Sequence, residues 1–147
     1  MKNGPVISTL IDLIQISWNG EVFLRTAAEA AGDPELHRFF AEYADVRAAS
    51  AAELEREIAR LGGAPGPPDT AASRRVSGTV KVALASAGLD RLLEMAEMGE
   101  DAAERAYEKA FQTCLPTETR GMLERQYHLI RRAHDHLRGL RHGRRAA

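Results

Sequence analysis

Residues 29–36 read EAAGDPEL, and this stretch decides the fold because it ends one long amphipathic segment and starts another. We expect Gly32 to end the first helix in a left-handed conformation. Asp33 and Pro34 then provide the N-cap and the first helical position of the second helix. A connection this short forces the two helices to lie side by side in antiparallel orientation.

The segments on either side of this turn carry the spacing of buried residues in a helix. From about Ser8 to Ala31, apolar and polar positions recur at alternating steps of four and three, which predicts one buried stripe. The same spacing runs from Pro34 to about Leu61, where two glycines and several prolines stop the helix.

A second helical hairpin is predicted in the other half of the chain. Asp90 is the expected N-cap of a third helix that runs to about Thr113. Leu115-Pro116 makes the turn, and the fourth helix runs to about Arg141.

The stretch between the hairpins is a long crossover, at about residues 62–89. Valines at mixed spacing predict a short extra helix within residues 70–88. The sequence therefore predicts an all-α fold, an antiparallel four-helix bundle forming a single domain over 1–147, with a basic C-terminal tail at about 142–147.

Size and composition restrict the class of protein. A chain of 147 residues can bury a core without disulfides, and its net charge of −1 gives no global attraction to nucleic acid. Cys114 is the single cysteine, which favours a reducing compartment and leaves an intermolecular disulfide as the alternative. Asp12 and Gln15 interrupt the apolar N-terminal run, so we expect neither a signal peptide nor a membrane span and place the protein in the cytoplasm.

The chain also repeats itself. Gly20-Glu21 in the first helix matches Gly99-Glu100 in the third. The sequence EYADVRAAS at 42–50 shares its pattern of tyrosine, arginine and alanine with QYHLIRRAH at 126–134. Two hairpins of the same design predict a pseudo-twofold axis through the bundle.

Several polar residues occupy or adjoin positions where the helical spacing predicts a core. These residues are Glu21, Arg47, Ser50, Glu100, Gln126, Arg131 and His134. Counted from the two turns, Glu21 and Arg47 lie at similar heights, as do Glu100 and Arg131. A buried charge needs a partner, so we expect the ion pairs Glu21–Arg47 and Glu100–Arg131.

This arrangement resembles the ferritin-like four-helix bundle. Di-iron members of that superfamily carry an inward glutamate on helices one and three and a Glu-x-x-His pair on helices two and four. The matching residues here are Arg47 and Ser50 on the second helix, and Arg131 and His134 on the fourth. Arginine in place of both bridging carboxylates implies that the di-iron site is lost.

More closely, the chain resembles a bacterial family of ferritin-like bundles known as a domain of unknown function. The segments that carry the resemblance are ISTLIDLIQ, NGEVFLRTAAE, DPEL, MGEDAAERAY and ERQYHLIRRAHD. The resemblance implies the fold and supplies no activity or catalytic residue.

Two functions from different classes stay open. The first is a non-enzymatic structural or interaction module without a cofactor, which forms a homo-oligomer, most simply a dimer, through an apolar stripe on the crossover. The alternative is an iron- or zinc-binding protein or oxidoreductase that uses Glu21, Glu97, Glu100 and His134 as ligands.

Nucleic-acid binding is disfavoured as a third function. The stretch from Arg131 holds six arginines against one acid, Asp135, but it has no interleaved aromatic residues and no recognised DNA-binding motif.

Overall fold

The structure, a computed structural model, describes residues 3–146, and its regular secondary structure over that range is entirely helical. The helices are α1 (Gly4–Ala30), α2 (Pro34–Arg60), α3 (Thr70–Phe111) and α4 (Thr117–Ala146). The predicted all-α four-helix bundle is confirmed.

In the turn between α1 and α2, the predicted N-cap of α2 is present, but the predicted end of α1 is not. The Asp33 carboxylate accepts hydrogen bonds from the backbone amides of Glu35 and Leu36, so the predicted N-cap is confirmed. The prediction for Gly32 is wrong: α1 ends at Ala30, and Ala31 leaves the helix in an extended conformation. Gly32 has no positive φ, because the extended Ala31 already turns the chain toward α2.

The four helices form a ring in which each packs against two neighbours. Helix α1 contacts α2 and α3, and α4 contacts α3 and α2, which leaves α1–α4 and α2–α3 as the diagonals. One apolar cluster joins the start of α1 and α4 to the end of α2 and α3. A second cluster joins the opposite ends. Neighbouring helices are therefore antiparallel, and the diagonal helices α2 and α3 are parallel, so the chain needs a long crossover to return to the opposite end of the bundle.

Helix α3 consists of two parts that meet at Gly88. Gly88 has φ 73° and ψ −163°, a conformation that is open essentially only to glycine. We call residues 70–87 the arm and residues 89–111 the body. The two parts lie side by side, since Ala72 and Met98 line one cleft and Ala87 and Arg91 line another. The arm is the helix predicted within the crossover.

Three helix ends differ from the sequence prediction. Asp90 is not an N-cap, since it lies inside α3; Asp69 caps the arm instead, through a bond from the Ala72 amide. Helix α1 starts at Gly4, ahead of the predicted Ser8, because Pro5 is tolerated in a first turn. Helix α4 continues to Ala146, so the predicted basic tail is helical over its described residues.

We expect Gly88→Ala to destabilise the fold by about 1–3 kcal/mol, because alanine is strained at this φ and ψ. The matched control is Gly78→Ala in the arm, where a Cβ meets no atom within 4 Å. Since Gly78 is helical, alanine there should stabilise by up to about 1 kcal/mol. Urea unfolding of both variants measures the difference, and equal effects would contradict the turn at Gly88.

Candidate functional site

The centre of the bundle holds a buried ion pair between the two diagonal helices α2 and α3. The Arg47 Nη2 donates to the Glu100 Oε2 at 2.8 Å, and both side chains are only 6% exposed. The guanidinium lies against the backbone of α1 at Gly20, where a Cβ would be 3.4 Å from its central carbon. A small residue at position 20 therefore makes room for the arginine to cross the core.

The two ion pairs predicted from the sequence do not form. Glu21 accepts from Arg25 on its own helix at 2.9 Å, and both side chains are partly exposed. Arg131 is exposed, with its guanidinium 5.8 Å from the centre of the Tyr127 ring. Sequence spacing gives the position of a residue along its helix, but these pairings also depend on the direction in which each side chain points around the helix.

Other polar core residues lie close to Arg47, since Ser17, Ser50 and Tyr107 line the same small cavity. The Tyr107 hydroxyl donates to the Gln126 Oε1 at 2.7 Å, and the Gln126 amide donates to the Ser50 carbonyl at 3.3 Å. Among the described residues, the Ser17 hydroxyl and the Arg47 Nη1 have no hydrogen-bond partner, and the space between them is too small for a water molecule.

A second polar arrangement lies along the seam between α3 and α4. Glu97, Asp101 and Glu104 are spaced at three and four residues, so they line one face of α3. We call these three residues the acidic seam. Opposite them on α4 lie His134, Arg138 and Arg141, at the same spacing.

His134 is the member of the α4 row that faces all three acids. Its Nδ1 is 3.0 Å from the Glu104 Oε1, and its Nε2 is 3.3 Å from the Asp101 Oδ1 and 3.6 Å from the Glu97 Oε1. The histidine is 6% exposed, and its Nε2 makes no hydrogen bond within the described residues.

The ligand set predicted from the sequence is thus divided between three places. Glu21 is at the α1 surface, Glu100 is held by Arg47, and Glu97 is held by Arg138 and Arg141 beside His134. Asp101 and Glu104, which the sequence reasoning missed, are the acids that come together with His134. They follow Glu97 by four and seven residues, a spacing that places all three acids on one helix face and could have identified them from the sequence.

An apolar cleft lies between the arm, the body and α1. Its volume is about 520 Å³, and Phe23, Val76, Met95 and Met98 provide its apolar lining. A neighbouring cleft of about 640 Å³ extends along the arm to Val82. Val82 and Met98 are the large hydrophobic side chains most exposed in the described part of the chain, at 68% and 56%.

The protein is an all-α four-helix bundle with a buried ion pair at its centre. Within residues 3–146, none of the helices is long and apolar enough to span a membrane. The sequence profile of a domain of unknown function, DUF2383, matches residues 5–113, about three quarters of the chain. The chain belongs to this family. Among curated proteins, none matches the chain.

We expect Arg47→Ala to cost about 3–5 kcal/mol of unfolding free energy, because it leaves the Glu100 carboxylate buried without its partner. The matched control is Arg25→Ala, which removes an exposed arginine and should cost less than ~1 kcal/mol. Urea denaturation measures both. A loss below ~1 kcal/mol for Arg47→Ala would contradict a buried ion pair at the centre.

Alkaline pH should weaken the fold through Tyr107. Burial raises the pKa of Tyr107 to about 12, above its ordinary value of 10. The folded state therefore retains a proton that the unfolded state loses, so this contribution is complete below pH 10 and is lost between pH 10 and 12. At pH 11 Tyr107 should contribute about 1.4 kcal/mol of the loss relative to pH 8, and Tyr107→Phe should lack this contribution. Equal losses in both proteins would contradict the assignment.

Proposed function

We propose that this protein is a non-enzymatic, ferritin-like structural and interaction module that acts as a homodimer. The observation that carries the first part is the Arg47–Glu100 ion pair. A cationic side chain fills the middle of the bundle, where a ferritin-like enzyme of the di-iron class would need carboxylates from all four helices.

The residues at this position do not fit a di-iron centre. The Arg47 guanidinium supplies the positive charge that the Glu100 carboxylate requires in a buried setting. Glu21 is directed to Arg25, and the core beside Ser17 and Arg47 has no room for a water molecule. An iron or zinc ion bound jointly by Glu21, Glu97, Glu100 and His134 would require these contacts to break, so we derive no reaction through such a group.

The arm supports the interaction part of the proposal. It is basic, with Arg74, Arg75 and Lys81 exposed and no Asp or Glu between residues 70 and 87. Its exposed apolar residue, Val82, has no cover within the described chain. An apolar side chain flanked by like charges is suited to a partner surface that is apolar and acidic.

A second copy of this chain offers such a surface. The exposed surface of the body carries Met98 and, one turn before it, the Glu94 carboxylate, which contacts Arg91 at 2.6 Å. If the arm of each copy packs on the body of the other, Val82 meets Met98 while the basic residues of the arm lie near Glu94. Such an interface is reciprocal, as a twofold dimer requires.

Nucleic-acid binding by the C-terminal helix has weaker support. Arg138 and Arg141 contact Glu97, and the Arg144 Nε is 3.4 Å from the Asp90 Oδ1. These arginines face carboxylates of α3, which reduces the positive potential that phosphates would encounter.

The test is the molar mass of the full-length chain by light scattering during size-exclusion chromatography. We expect a dimer for the unaltered chain and a monomer for Val82→Asp, because the new carboxylate would be buried against Met98 and the acids of the partner's body. Ala49→Asp, at an exposed position of α2, should stay dimeric. A monomeric unaltered chain, or a dimer that Val82→Asp leaves intact, would overturn the proposed interface.

A further inference from the structure

The acidic seam carries more negative charge than its arginines balance. Glu97 contacts both Arg138 and Arg141, while Asp101 and Glu104 have no arginine or lysine within ion-pair distance among the described residues. The group that faces these two carboxylates is the imidazole of His134. One histidine therefore stands against two carboxylates at this point of the seam.

The buried state of His134 leaves one of its nitrogens without a hydrogen bond. The residue is 6% exposed, and Nε2 has no hydrogen-bond partner although the Asp101 Oδ1 is only 3.3 Å away. Burying a polar nitrogen without a partner costs free energy. A ligand that accepts the Nε2 lone pair and attracts the nearby carboxylates would remove this cost.

We infer that His134, Asp101 and Glu104 form a binding site for one divalent transition-metal ion, best suited to zinc, on the seam between α3 and α4. One ligand atom from each residue lies within 4.8 Å of the other two. The set combines one imidazole and two carboxylates, which zinc accepts, with a remaining position for water.

One pair of the ligand atoms already has the spacing of a coordination shell. With bonds of about 2.0–2.2 Å, the ligands of a tetrahedral zinc ion lie about 3.4 Å apart. The His134 Nε2 and the Asp101 Oδ1 are already 3.3 Å apart. The Glu104 Oε1 is 3.0 Å from the other ring nitrogen, Nδ1, so binding at Nε2 requires this carboxylate to rotate, which a partly exposed side chain permits.

This site differs from the central polar pair in position and in role. Glu100 and Asp101 are consecutive on α3, so their side chains point about 100° apart, one toward Arg47 and the other toward α4. An ion at the seam would join α3 to α4 without displacing Arg47. Asp101, Glu104 and His134 do not line the clefts beside the arm, so the site uses none of the residues of the proposed dimer interface.

The experiment is calorimetric titration of the chelator-treated, full-length chain with zinc chloride, followed by thermal unfolding with and without zinc. We expect one zinc ion per chain and a higher melting temperature in its presence. Asp101→Asn and His134→Gln should each weaken zinc binding by at least ~10-fold and abolish the thermal shift. Because the Asp101 side chain is 43% exposed, its variant tests the site even if His134→Gln fails to fold.

The matched control is His128→Gln, which alters an exposed histidine on α4 that lies four residues from Glu124. We expect this variant to bind zinc as the unaltered chain does, and Val82→Asp to do so as a monomer. The absence of stoichiometric binding to the unaltered chain would overturn the inference. So would full retention of binding in Asp101→Asn, or its loss in His128→Gln.

Discussion

The ion pair between Arg47 and Glu100 joins α2 and α3, two helices whose backbones lie on a diagonal of the bundle. Because α2 and α3 are diagonally opposite, a long side chain must cross the centre to reach from one to the other. The arginine crosses beside Gly20, where α1 has no side chain in the way. The apolar clusters on either side exclude water from the pair, so neither charge can find a substitute partner. Burial of this kind favours one arrangement of the helices, because any other would leave a charge stranded.

A second layer of electrostatic contacts acts at the surface of the bundle. Acidic side chains of α3 face arginines and one histidine of α4. Glu100 and Asp101, which are consecutive in the sequence, make these two kinds of contact. The first is satisfied inside the core by Arg47, and the second faces His134 on the seam. The same helix thus supplies a structural ion pair and the carboxylates of the proposed zinc site, through consecutive residues.

The crossover connects α2 to the body of α3 and carries an exposed apolar side chain. After α2 the chain must return to the opposite end of the bundle, because the body of α3 starts there and runs antiparallel to α1. The arm provides this passage as a helix, and Gly88 reverses the chain in a conformation that other residues resist. Since the arm packs outside the four-helix ring, its outer side has no helix to cover it, and Val82 is exposed.

Sequence alone determined the class of fold, the helix count and the hairpin at Asp33, because helical periodicity and capping are local properties of the chain. It also identified Arg47, Glu100 and His134 as polar residues in core positions, and all three are buried. Only the tertiary structure decided which charges meet. Spacing along a helix gives height, whereas partners depend on the rotation of each helix and on which helices are diagonal. That is why Glu100 pairs with Arg47, and why Asp101 and Glu104 join His134 on the seam.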